Sequence, residues 1–289
     1  MNSSPRALAT LHLAVLLFGV SGLIGRVVAA PALVVSCVRS LVASLVLVAF
    51  LAWHRQVSGV KLRARGTALL LSGALLAAHW WAFFEAIQRS TVALGLLTFA
   101  SYPLFVAVLG VSVLREWLRP AEAAACGLVV SGLALVVPDW HWGSQVAVAA
   151  GLGVGSGFSF ALLTLVNRRL TAVLDPLLVV AAQTGVAGLL LLPLAGGHFV
   201  RVSGSDWLWL GLLGVLFTAV AHGCFTASLT GVRLSTVGVM TALEPVYGVV
   251  FAALFLGERP GFIMCLGGGL IIAGAVLVRL GPGGRLRSG

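Results

Sequence analysis

Charge is what this sequence has least of. Charged side chains make up 9% of it, and only eight of the 289 residues are Asp or Glu. A soluble domain carries about 25% charged residues. With 60% of the chain apolar and a mean hydropathy of +1.10, one core cannot hide the apolar surface. The surrounding solvent must be lipid. Cysteine is sparse too. Cys37, Cys126, Cys224 and Cys265 each fall inside an apolar stretch, with no C-x-x-C pair and no histidine cluster. That excludes a disulfide framework and a zinc site and reads as small buried hydrophobes. No Walker pattern is present, which speaks against ATP hydrolysis. No cofactor is expected. The net charge of +10 does not indicate nucleic acid, because the basic residues sit in short gaps without aromatic interleaving.

What the chain does have is long apolar runs. Ten are near the 20 residues that a helix needs to cross a bilayer: 7–25, 32–53, 67–88, 92–114, 121–138, 145–167, 176–196, 206–230, 235–257 and 262–279. They are too long and too evenly apolar for barrel strands. The first reads as a retained helix rather than a cleaved leader. If the N-terminus is cytoplasmic, the inner gaps hold 13 of the 18 basic residues: Arg6, Arg55, Lys61, Arg63, Arg65, Arg115, Arg119, Arg168, Arg169, Arg233, Arg279, Arg285 and Arg287. The outer gaps hold four, Arg26, Arg89, Arg201 and Arg259. The bias predicts both termini inside, in the inner (cytoplasmic) membrane.

The chain also repeats itself at about half its length. "SYPLFVAVLGVSVLREW" (101–117) lies over "LEPVYGVVFAALFLGER" (243–259), pairing Tyr102 with Glu244, Pro103 with Pro245 and Glu116 with Glu258. "AHWWAFFEAI" (78–87) lies over "AHGCFTASLT" (221–230), pairing His79 with His222. Residues 32–47 lie over 176–191, pairing Arg39 with Gln183. The first and sixth runs match poorly. The expected fold is all-α, ten transmembrane helices in two five-helix halves, 1–140 and 141–289. Five is odd, so the second half enters the membrane inverted. Such halves can open a shared midplane cavity to one side and then the other.

The stretch "LEPVYGVVFAALFLGERP" (243–260), with "STVALGLLTFASYPLFVAVL" (90–109) and "VRSLVASLVLV" (38–48), resembles the EamA-type members of the drug/metabolite transporter superfamily. The resemblance covers nearly the whole chain. It departs where Arg115 replaces the usual glycine before the glutamate, and where Gln183 replaces arginine in the second half. It implies export of amino acids or other small metabolites.

Charges deep in a bilayer mark functional hypotheses. Glu244 stands about one-third into the ninth run, before Pro245, which removes a backbone donor and bends the helix. It reads as an acid on a kinked cavity wall, available to a substrate amine, a proton or another helix. His79 and His222 occupy matching positions and can change charge near neutral pH; the plainer reading is hydrogen bonding between helices. Trp80 and Trp81 point about 100° apart on a helix, so one can face a cavity and the other lipid. Tyr102 is Glu244's counterpart and a candidate cavity hydroxyl. The expected substrate-binding residues are therefore His79, Trp80, Tyr102, His222 and Glu244, on a cavity lined mainly by the third, fourth, eighth and ninth runs, with the first and sixth contributing. Arg39 is read as pairing with an acid or a helix end. Glu85 with Arg89, Glu116 with Arg119, and Glu258 with Arg259 read as structural; Trp140, Trp142, Trp207 and Trp209 read as interfacial anchors.

The expected activity is secondary transport of a small molecule, outward, by alternating access, with protons as the coupling ion and a homodimer as a permitted state. A passive channel is the first rival. An intramembrane serine protease is the second, because "GVSG" (19–22) resembles a nucleophile turn and His222 offers a base. No enzyme activity is expected.

Overall fold

In the computed structural model the described residues are 4–54, 64–114, 120–137, 141, 143–232 and 234–280. Arg55, Lys61, Arg63, Arg115, Glu116, Arg119, Trp140, Trp142, Arg233, Arg285 and Arg287 lie outside them. Every regular element among the described residues is helical. The helices are α1 (Pro5–Val27), α2 (Ala32–Trp53), α3 (Gly66–Arg89), α4 (Val92–Phe99), α5 (Tyr102–Leu114), α6 (Pro120–Val136), α7 (Gln145–Leu170), α8 (Pro176–Ala195), α9 (Gly204–Gly214), α10 (Ala221–Ser228), α11 (Leu234–Thr241), α12 (Glu244–Leu256) and α13 (Phe262–Leu280). A short 3₁₀ turn, Gly196–Arg201, follows α8, and a π-helical segment, Val215–Val220, joins α9 to α10.

Six stretches are long and apolar enough to cross a membrane: Pro5–Val27, Ala32–Trp53, Gly66–Arg89, Gln145–Leu170, Pro176–Val200 and Gly204–Ser228. Shorter apolar helices carry the other four runs. Helix is the outcome lipid demands, since each backbone polar group must be satisfied within the chain. The ends are marked by side chains. Thr91 and Ser144 cap α4 and α7, Asp175 caps α8 ahead of Pro176, and Ser203 with Asp206 forms a capping box on α9.

Two runs break rather than bend. The fourth splits into α4 and α5 around residues 100–101, and the ninth into α11 and α12 around 242–243. In each, proline is the second residue of the later helix, where its missing N–H does no harm.

Packing repeats itself across the two halves. α2 lies on α8, and α6 on α13; α3 lies on α7 as α1 does on α10; α1 lies on α12 as α7 does on α5. The match extends to single atoms. Cys37 Sγ donates to the Gly188 carbonyl at 3.5 Å and Ser44 Oγ to the Ala181 carbonyl at 2.9 Å; the 144-residue offset exchanges the two bonds. Between α6 and α13, a Cβ at Gly132 would stand 2.5 Å from the Gly267 carbonyl, and one at Gly274 would stand 2.8 Å from the Ala125 carbonyl. The 142-residue offset exchanges those contacts. Only glycine lets two helix backbones come this close.

Glu85 and Arg89 form the expected ion pair, Nε to Oε1 2.7 Å, and Arg89 also reaches Gln145 on α7. Glu258 is structural in an unexpected way. Its two carboxylate oxygens accept from the backbone N–H groups of Val92 and Ala93 at 3.0 and 3.2 Å, so an acid of the second half caps α4 of the first. Of the four cysteines only Cys37 is fully buried; Cys265 is exposed. The small-buried-hydrophobe reading holds for one of them.

Candidate functional site

The breaks in the fourth and ninth runs adjoin a small pocket lined by buried residues. Its volume is about 20 Å³, room for a water or two rather than a metabolite. Its polar wall is Ser21, Arg39, His79, His222 and Glu244. Its apolar wall is the rings of Phe18, Trp80, Phe83, Phe99 and Phe160. α1, α2, α3, α4, α7, α10 and α12 all contribute.

Glu244 is the first residue of α12, 4% exposed. Its carboxylate accepts no hydrogen bond from any described residue. α1 crosses directly beside it, with a Cβ at Gly19 falling 2.9 Å from the Glu244 carbonyl oxygen. Glycine at position 19 is what brings α1 so near the break.

Arg39 lines the same pocket at 1% exposure. Its Nε donates to Thr218 Oγ1 at 2.9 Å and one terminal nitrogen to the Phe217 carbonyl at 3.0 Å. Both acceptors belong to the π segment, where Thr218 Oγ1 also donates to the Leu213 carbonyl five residues back. The guanidinium carbon sits 4.2 Å over the Trp80 ring and 5.1 Å over Phe84, a cation–π geometry. Two of its five N–H groups are thus engaged, and the others have no partner among the described residues. No ion pair of 4 Å or less joins Arg39 to Glu244.

The two histidines occupy matching places but differ in their bonds. His79 Nδ1 lies 2.8 Å from Ser156 Oγ, which in turn donates to the His79 carbonyl. His222 makes no hydrogen bond to a described residue; it packs on Phe18 at 4.6 Å and edge-on to Trp80 at 5.0 Å. The position 142 residues before Ser156 is Ala14, which explains the difference. Trp80 is buried under Arg39 and Trp81 is 38% exposed, so the pair splits between interior and lipid side.

Tyr102 stands apart from the pocket lining. It is fully buried behind Phe99 and Phe160, with ring centroids 6.3 and 5.3 Å away, and its hydroxyl reaches Thr164 at 3.4 Å. Sequence reasoning passed over Arg39 as a pocket residue, although a lone arginine inside an apolar run was the signal. It also passed over Phe18 and Phe160, because the first and sixth runs align poorly. Ser21 Oγ donates to the Phe18 carbonyl at 2.8 Å and to no histidine. A serine nucleophile needs a base within hydrogen-bond reach, so the protease reading has no geometry behind it. Among the described residues no three His, Cys, Asp or Glu gather to hold a metal.

Fold and pocket define a multi-pass helical membrane protein with a small, partly polar pocket among buried residues of two like-packed sets of helices. The pattern of the EamA-like transporter family matches residues 6–137 and again 147–280. The chain belongs to the EamA-like transporter family, within the drug/metabolite transporters. It is 30% identical over 205 residues to protein RarD of Escherichia coli (strain K12), an alignment covering 67% of this chain and 64% of that one. It thus spans a little under two thirds of that relative's length. An uncharacterized transporter of Bacillus subtilis (strain 168), YwfM, is 26% identical over 224 residues, covering 74% of this chain and 73% of its own. A solved crystal structure superposes with a TM-score of 0.70 over 95% of this chain and 97% of the other at 17% identity, a likeness of fold.

Proposed function

We propose that this protein is a secondary transporter that carries a small metabolite, an amino acid or a related amphipathic solute, outward across the cytoplasmic membrane by alternating access. The observation that carries the reading is the buried, unbonded Glu244 carboxylate at the break of the ninth run, lining the same pocket as Arg39. A carboxylate in the membrane interior without a partner is costly. Discontinuous helices meeting at a midplane site are what carriers of this kind use to bind and release. The transporter names of the family and of the relative YwfM point the same way.

In this reading the chain has ten spans in two inverted halves, 1–140 and 141–289, with both termini cytoplasmic. His79, Trp80, His222 and Glu244 face the substrate, and Tyr102 supports the wall behind Phe99 and Phe160. Glu244 and His222 are the candidate proton carriers, and the exposed apolar surface leaves room for a homodimer.

Counterflow in proteoliposomes tests this. Vesicles holding purified protein are loaded with unlabelled amino acids and small amphipathic solutes, and uptake of labelled counterparts is followed. Saturable exchange that Glu244→Gln abolishes, with the variant still folded, is the expected result. Flux that never saturates and never exchanges would instead mark a channel.

A further inference from the structure

Arg39 is over-supplied with donors for the structural task it performs. Two N–H groups hold the π segment through Thr218 and Phe217. The rest of the guanidinium, 1% exposed overall, lies on the pocket wall with no carboxylate within 4 Å. An unpaired cation in a membrane interior is as costly as an unpaired acid. A partner supplied from the pocket would remove that cost. Arginine's planar fork favours one partner above others, a carboxylate bound through two parallel N–H···O bonds.

The same pocket is lined by the opposite charge, Glu244, also without a hydrogen bond, and by aromatic rings, Trp80 and Phe160 among them. Resting on the transporter reading above, we infer that Arg39 binds the carboxylate of a zwitterionic substrate while Glu244 binds its ammonium group. The apolar side chain meets the rings in a state where the pocket, about 20 Å³ here, has widened to admit it. The second half has no matching anion subsite. Its equivalent of Arg39 is Gln183, whose Oε1 accepts from Ser72 Oγ at 2.6 Å, away from the pocket lining. The site is therefore polar in one direction only, and the substrate enters it in a single orientation.

The test uses three probes of one shape: L-leucine, L-leucinamide, which lacks the carboxylate, and 4-methylpentanoate, which lacks the ammonium. Each competes for labelled-leucine counterflow and for binding to the detergent-purified full chain. Wild type should prefer leucine over either analogue by at least about tenfold, since a site built to bond a group rejects the analogue without it. Arg39→Gln places at 39 the residue already found at 183. It should bring leucine and leucinamide close to parity while leaving the discrimination against 4-methylpentanoate. Glu244→Gln, which loses counterflow, should do the reverse in the binding measurement. Arg39→Lys keeps the charge without the fork and should retain only part of the preference, which separates lost recognition from lost folding. If leucinamide competes as well as leucine in wild type, or Arg39→Gln keeps the full preference, the anion subsite is wrong and the transporter reading stands. If none of the three binds or exchanges with folded wild type, the subsite is overturned, and the transporter reading then depends on the wider solute panel.

Discussion

The His222 ring rests 4.6 Å from the ring of Phe18, and the contact has a twin 142 to 143 residues away, His79 on Phe160 at 4.7 Å. The twins carry unequal loads. Phe160 also stands against Phe18, Phe99, Tyr102 and Phe225, at the joint between the halves. Phe160→Ala is expected to cost about 3–5 kcal/mol, more than Phe18→Ala. Thermal unfolding in detergent checks the order; equal losses would move the joint elsewhere.

The histidines should part company in the same way. His79→Ala removes a partner from Ser156 and is expected to lower stability with little change in substrate preference. His222→Ala breaks no hydrogen bond and is expected to change transport more than melting. Counterflow and unfolding measured on both variants decide it, and a stability loss confined to His222→Ala would reverse the assignment.

Glu258 ties the two halves together through the first turn of α4. Two backbone donors lose a charged acceptor in Glu258→Ala, a change expected to cost about 1–3 kcal/mol. Glu258→Gln should recover part of that, because its amide oxygen can still accept one of the bonds. A melting temperature unchanged by either substitution would remove the cap from the account.

The crossing of α6 and α13 has no room for a side chain. Gly132→Leu and Gly267→Leu each drive carbons into the opposite backbone and should abolish or strongly reduce folded yield. Gly155→Leu, which meets nothing within 4 Å, should be tolerated. Size-exclusion profiles of the three variants make the comparison, and similar profiles would contradict the packing.

Topology is testable without transport. A fluorescent protein fused after residue 289 should fluoresce, and alkaline phosphatase fused after Arg201 should be active while a fusion after Arg169 should not. The opposite pattern would turn the whole protein over.

The sequence foretold much of this architecture for a physical reason. Lipid forces apolar runs to be helices, so the ten runs reappear with ends close to those expected. Pro103 and Pro245 announced disturbed helices, although full breaks at residues 100–101 and 242–243 exceed a bend. Glu85–Arg89 was legible because one helix sets the distance. The Glu258 cap was not, because its partners are backbone atoms 165 and 166 residues away. The pocket was half legible. Glu244, His79, His222 and Trp80 stood out by charge, by matching position or by adjacency. Phe18 and Phe160 did not, since nothing local separates a pocket phenylalanine from a packing one. The chemistry concentrates where twins differ: Arg39 against Gln183, Glu244 against Tyr102, Ser156 against Ala14.

The π segment gives the eighth run a last property. From Val215 to Val220 the helix winds wider than the turns on either side, and Arg39 secures it through Phe217 and Thr218. Each residue of an α-helix turns it by about 100° and advances it by about 1.5 Å. Were the segment to rewind as α-helix, α10 would rotate and shift along its axis by an amount of that order, and His222 would swing off the pocket wall. The loosely wound turn is a slack link in an otherwise taut rod, and the arginine is the pin that holds it slack.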